Sequence, residues 1–259
     1  MDETEFDIRA AMAESLRGRA GSWALVSGFA AYWGEPLGPD DGFPDADLDA
    51  AERRLGLRLP AALREAYRLF GRRADLTSNH DVLLTPDELF VLDGALVYRA
   101  ENQGGAHWAV PTACLVPVGP DHSAAEGGGI ERGDVDGGGG IDGGGVDRED
   151  PPTVIRTDLA DKSQERWEPW EEHFSTAAAV MAMTEKLLED HELTDFIESE
   201  DDLPDGFREL PALGRGCRWY QGPGVLVSVV EEAWMAARAR TPEALEALYE
   251  AVPGDWLGE

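Results

Sequence analysis

Apolar positions in the first seventy residues recur at helical spacing. Ile8, Met12 and Leu16 form one stripe across 4–17, the i, i+4, i+8 row of a single helix face. Leu48, Ala51 and Leu55 form a second, with Asp45 or Asp47 as N-cap and Gly56 as the stop. Leu63, Ala66, Tyr67 and Phe70 form a third, opened by Pro60 and closed by Gly71. Between the first two stripes, 21–44 is rich in Gly, Trp and Pro and reads as irregular. Thr85-Pro86-Asp87-Glu88 has the spacing of a capping box and predicts a brief helical turn.

From 89 the period shortens to two. LFVLDGALVY reads as strand, Asp93-Gly94 turn and strand. HWAV is the next strand, and the proline in LVPV at 115–118 suits an edge position. TVIRT is a further strand. Residues 173–190 predict a long helix carrying Phe174, Ala178, Met181 and Leu188 on one side. The acidic run EDHELTDFIESEDDLPD reads as a continuation of that helix and then a linker. CRWYQGPGVLVSVV predicts a hairpin around Gln221 to Gly224, with a strand near WMAARA. Thr241 then caps a final helix whose Leu245 and Leu248 face inward.

Composition changes this picture at one place. The chain of 259 residues is 42% hydrophobic and 8% aromatic, enough to build a core. Residues 119–150, however, are mostly Gly and Asp and lack the apolar surface that would offset ordering entropy. They read as a disordered insertion in a surface loop. Within it, Gly138 to Gly143 fits GxGxxG and Gly137 to Asp142 fits GGxGxD. No strand and helix flank the first, and the second is a single copy of a unit that binds calcium only when stacked.

Net charge is −30. Such a field repels nucleic-acid backbones and speeds encounter with basic proteins. Two distant cysteines, Cys114 and Cys217, suggest reduced thiols. The acidic N-terminus lacks the features of a secretory signal, and no apolar run reaches membrane-spanning length. The expectation is a cytoplasmic protein that binds neither membrane nor nucleic acid.

Catalytic signatures are missing: no GxSxG, no GxxxxGK[ST], no HExxH and no paired CxxC occurs. His80, His107, His122, His173 and His191 show no ligand spacing. The sequence therefore predicts no enzyme, no metal and no cofactor. The most informative stretch is VYRAENQGGAHWAVP at 97–111, where Glu101, Asn102 and Gln103 crowd a hairpin corner beside His107 and Trp108. Glu101 and His107 could share a proton across the turn, or Glu101 caps the turn and His107 is a half-buried strand residue. The corner is either a surface built for contact or a structural turn whose tryptophan faces the core. Trp167 and Trp170, among Glu168, Glu171 and Glu172, carry the same two readings.

Three segments together resemble a known family: LGLRLPAALREAYRLFGR, YRAENQGGAHWAVP and DPPTVIRT are similar to the SMI1/KNR4-like domain of the SUKH superfamily. The resemblance spans about 46–190, and the tail from Trp219 to Trp256 looks like a C-terminal extension common among actinobacterial members. It implies an α+β fold, a mixed sheet wrapped by helices, with a small C-terminal αβ extension. The division it suggests is 1–44 as an N-terminal helix and irregular segment, 45–198 as the SMI1/KNR4-like domain with its insertion, and 203–259 as the extension. The family also implies a non-enzymatic protein-binding role: many bacterial members look like immunity proteins that neutralise toxins, often nucleases, by occlusion, and fungal relatives act in regulation. The expected partner is then a basic toxin domain. The expected contact residues are Glu101, Asn102, Gln103, His107, Trp108, Trp167 and Trp170, and the alternative is a regulatory or scaffold protein with no toxin partner.

Overall fold

A computed structural model describes residues 6–118, 147–198, 203–230 and 234–257. Most of the glycine and aspartate insertion, 119–146, lies outside the described residues, as do both glycine motifs within it. The chain is α+β. Its helices are α1 Ile8–Ser15, α2 Arg19–Trp33, α3 Asp45–Leu55, α4 Ala61–Phe70, α5 Ala74–Thr77, α6 Phe174–Leu187 and α7 Pro242–Ala251. The first eight strands are β1 Leu57–Arg58, β2 Val82–Leu83, β3 Phe90–Leu92, β4 Ala95–Ala100, β5 Ala106–Pro111, β6 Val116–Pro117, β7 Val154–Thr157 and β8 Glu168–Pro169. The last five are β9 Thr194–Glu198, β10 Arg208–Glu209, β11 Cys217–Gly222, β12 Val225–Val230 and β13 Trp234–Ala239.

One sheet runs β2-β4-β5-β7-β8, with β3 sharing the β2 edge of β4. A second runs β10-β11-β12-β13-β9, and β1 pairs with β6. Every described pairing is antiparallel, which corrects the expectation of a mixed sheet. Short hairpin connections such as Asp93-Gly94 and Pro223-Gly224 reverse the chain at once, whereas a parallel neighbour needs a long crossover.

Two further expectations fail. Residues 21–44 are irregular only from 34 onward, because α2 occupies their first half. Its glycines are packing contacts: a Cβ on Gly21 would lie 2.2 Å from the Glu14 carbonyl oxygen, and one on Gly28 would lie 2.3 Å from the Phe6 ring. The acidic run after α6 is likewise no simple linker. Its TDFIE segment is strand β9, with Ile197 buried under α7 and Asp195 accepting a hydrogen bond from the Tyr249 hydroxyl. The expected capping box forms a single turn, in which the Glu88 carboxylate accepts from the Thr85 N–H at 2.9 Å.

α6 is buried along most of its length, including Phe174, Ala178, Met181 and Leu187, as expected of a helix apolar on all sides. Its Ala-rich faces let α2, α4, α5 and β13 approach it. The core around it draws on Ile8 and Met12 of α1, Phe29 of α2, Tyr67 of α4, Tyr98 of β4 and Trp219 of β11. The end of the insertion region is ordered too. Asp150, expected within the flexible tract, is buried and accepts hydrogen bonds from the Ser175 N–H and hydroxyl at the start of α6.

Candidate functional site

The corner between β4 and β5 is built by its own glutamate. The Glu101 carboxylate accepts the N–H groups of Gln103 at 2.9 Å and Gly105 at 2.7 Å. Gly104 has φ +80°, the left-handed conformation that favours glycine. Asn102 and Gln103 are thereby held exposed at the tip. Glu101 uses its carboxylate on this turn, and no hydrogen bond joins it to His107 among the described residues. His107 is half-buried and meets Phe90 edge-on at 5.9 Å. Burial, with the nearby Arg156 cation, pushes its pKa down, so the ring is neutral at pH 7.

Beneath the corner, β4 carries an irregularity that determines the site. Val97 pairs with Ala109 and Arg99 with Trp108, so two steps along β4 match one along β5. This β-bulge turns Arg99 onto the helix-covered face that strict alternation would deny it. There its guanidinium carbon lies 4.6 Å from the centre of the Trp108 ring. The same guanidinium forms ion pairs with Asp81 at 3.0 Å and with Glu185 of α6.

Glu185 is fully buried. Its Oε2 accepts the N–H groups of Asn79 at 2.8 Å and His80 at 2.7 Å, and its Oε1 accepts that of Asp81 at 3.2 Å. The Asn79 side-chain amide donates to the Glu185 carbonyl at 2.8 Å. A buried carboxylate would cost several kcal/mol if unpaired; three N–H donors and a guanidinium compensate it. The result is a second surface loop, 78–82, whose Ser78, Asn79, His80 and Val82 are exposed while its backbone is pinned from below. The loop adjoins the corner, because β2 pairs with β4 at Ala100 and the Asn102 N–H faces the Asp81 carboxylate.

Of the expected contact residues, Glu101 is a half-buried turn-former, and Asn102 and Gln103 stand exposed. Trp108 is corrected to the core: it is 8% exposed, covered by Arg99 and meets Trp170 edge-on at 6.5 Å. Trp167 and Trp170 do not form one patch. Trp170 packs on the helix-covered core with Trp108. Trp167 lies over Ala95, Val97 and Ala109 on the sheet's other face and donates to the Leu92 carbonyl at 3.2 Å. Sequence reasoning missed Asn79, Asp81, Arg99 and Glu185. Arg99 stood inside the quoted stretch, but no local signal linked it to a residue 86 positions away.

The neighbouring residue of α6 faces a second charged assembly. Lys186 bridges Asp75 and Glu189, each at 2.9 Å. Asp75 also pairs with Arg73, which reaches Asp41, and Glu189 also pairs with Arg238. The chain of charges Asp41, Arg73, Asp75, Lys186, Glu189 and Arg238 lines a cleft of about 720 Å³. Burial raises the Asp75 carboxyl, but hydrogen bonds from Arg73 and Lys186 outweigh it and lower the pKa overall. Arg238 also closes the end of α6 by donating to the Lys186 carbonyl.

Among the described residues no group of three or more His, Cys, Asp or Glu is placed to hold a metal ion, and no helix is long and apolar enough to cross a membrane. No family model matches the chain, and neither a curated protein nor a solved structure matches it.

Proposed function

We propose that this chain is a protein-binding domain of SMI1/KNR4-like type that acts as an immunity protein, neutralising a basic toxin domain by covering it. The supporting observation is the pair of adjoining exposed loops, 78–82 and 101–105, the first pinned from below by the buried Glu185 carboxylate and the second by the carboxylate of Glu101. A binding surface ordered in advance loses less entropy when a partner arrives. The exposed tips offer amides, a hydroxyl and an imidazole, which suit hydrogen bonding to polar side chains. The net charge of −30 supplies long-range attraction to a cationic partner.

The function requires no bond chemistry. Occlusion needs only a surface complementary to the partner's substrate-binding face. The test is co-expression and co-purification with the product of the adjacent gene, followed by titration calorimetry in rising salt. A complex that weakens as salt screens the charges, and that weakens further in Asn102→Lys and Gln103→Lys, supports the reading. A complex insensitive to both changes moves the contact elsewhere. Association with a partner that has no toxic activity would favour a regulatory role, and turnover of a substrate by the purified chain would end the proposal.

A further inference from the structure

Three side-chain atoms in the network under the two loops are buried without a hydrogen-bond partner: Asp81 Oδ1, Arg99 Nε and Trp108 Nε1. The first two belong to groups already in contact, since Arg99 Nη2 lies 3.0 Å from Asp81 Oδ2. A guanidinium presents Nε and one Nη side by side, a fork that matches both oxygens of a carboxylate. Here the fork is engaged at one tine only, because the same Nη2 is also drawn to Glu185. Arg99 is therefore shared between two carboxylates whose holds on the structure differ. Glu185 has three N–H donors besides Arg99. Asp81 has the one-sided pair and the facing Asn102 N–H.

We propose that Asp81 is a proton-operated coupler between the 78–82 loop and the 101–105 corner: ionised, it ties both loops to Arg99; protonated, it lets them move independently. The groups facing it are Arg99 from β4, Glu185 from α6, His80 on its own loop and the Asn102 N–H from the corner. Of the two carboxylates, Asp81 is the one that can accept a proton without dismantling the core. Protonation would remove its attraction to Arg99, which would then turn wholly to Glu185, and the Asn102 N–H would face an uncharged group. The loop 78–82 would keep its backbone bonds to Glu185, so the protein stays folded while the joint between the loops loosens.

The direction of the acid's perturbation agrees. Burial raises the Asp81 pKa above that of an ordinary aspartate, with Arg99 and His80 opposing and Glu185 reinforcing. An acid with a raised folded-state pKa subtracts from stability when ionised and regains it as pH falls through that pKa. The charge at neutral pH is thus carried at a cost, which its positioning of the two loops explains.

This inference rests on the docking reading for its purpose, but its test needs no partner. Amide proton–nitrogen spectra of the free protein would be recorded from pH 7 down through the acid range. The expected result is that the Asn102 and Asp81 amides shift together, with one midpoint above the ordinary aspartate range of about 4. Asp81→Asn at pH 7 should show those amides at their acid positions and no such midpoint. Its Asn79 and His80 amides should stay protected from exchange. An Asn102 amide that does not titrate in the wild type, or one that keeps the same midpoint in Asp81→Asn, would overturn the proposal. A titration seen in a protein that captures no basic domain would overturn the immunity reading and leave the coupler standing.

Discussion

Arg99 and Trp108 face each other across the β4–β5 ladder, the guanidinium carbon 4.6 Å from the ring centre. The bulge brings Arg99 to the helix-covered face, and the indole gives the cation a surface to stack on. Trp108 therefore serves the site from beneath. Trp108→Ala should destabilise the fold by about 3–5 kcal/mol, as truncation of a buried tryptophan does. Asn102→Ala and Gln103→Ala, at exposed positions, should fall within about 0.5 kcal/mol of wild type. Urea denaturation monitored by circular dichroism separates the two outcomes.

Removing the carboxylate of Glu185 leaves three backbone N–H groups without their acceptor and the Arg99 guanidinium with Asp81 alone. Glu185→Ala should cost about 3–5 kcal/mol, the loss typical when one partner of a buried ion pair is removed. Hydrogen exchange should show the amides of Asn79, His80 and Asp81 losing protection more than those of the second sheet. Equal loss everywhere would mean that Glu185 supports the fold in general and not this loop.

Helices α1 and α2 cross at a glycine. A Cβ on Gly21 would lie 2.2 Å from the Glu14 carbonyl oxygen and 2.9 Å from the Ser15 Cα. Both are backbone atoms, so relief requires the helices to separate. Gly21→Ala should lower stability by about 1–3 kcal/mol, the usual cost of overpacking, despite alanine's better helix propensity. A rise in melting temperature would show that the crossing yields.

Glu165 gives a pH signature. The hydrogen bond from Lys162, then the Leu159 N–H and the Arg156 guanidinium, bring its pKa down to about 2. The ordinary value is about 4.3. A depressed acid contributes stability above its unfolded-state pKa and loses that contribution as pH falls through its folded-state pKa. Carbon NMR of the Glu165 carboxyl should find a midpoint near 2. Glu165→Gln should flatten the stability-versus-pH curve across that acid window. A midpoint near the ordinary value would mean that the Lys162 and Arg156 contacts do not persist in solution.

Much of the fold was legible because its signals are local. The β3–β4 hairpin follows from Asp93-Gly94, a dipeptide suited to the positive φ both residues adopt. Helix α7 follows from Thr241 and Pro242, and the Thr241 hydroxyl does accept the Ala244 N–H at 3.2 Å. Helix α2 was obscured because its glycines look like breakers until the contact with Glu14 and Phe6 is known. Strand β9 was obscured because its acidic flanks outweigh the alternation within TDFIE.

The candidate site divides along the same line. The sequence alone determined the glycine-containing corner that crowds Glu101, Asn102 and Gln103 together, since spacing and turn chemistry act within a few residues. Only the tertiary structure decided that Asn102 and Gln103 stand exposed, that Trp108 faces inward, that a bulge delivers Arg99, and that Glu185 and Asp81 converge on it from about a hundred positions apart in the chain. Electrostatic and packing energies depend on distance in space, and a linear order of residues carries no record of those distances until the chain has folded.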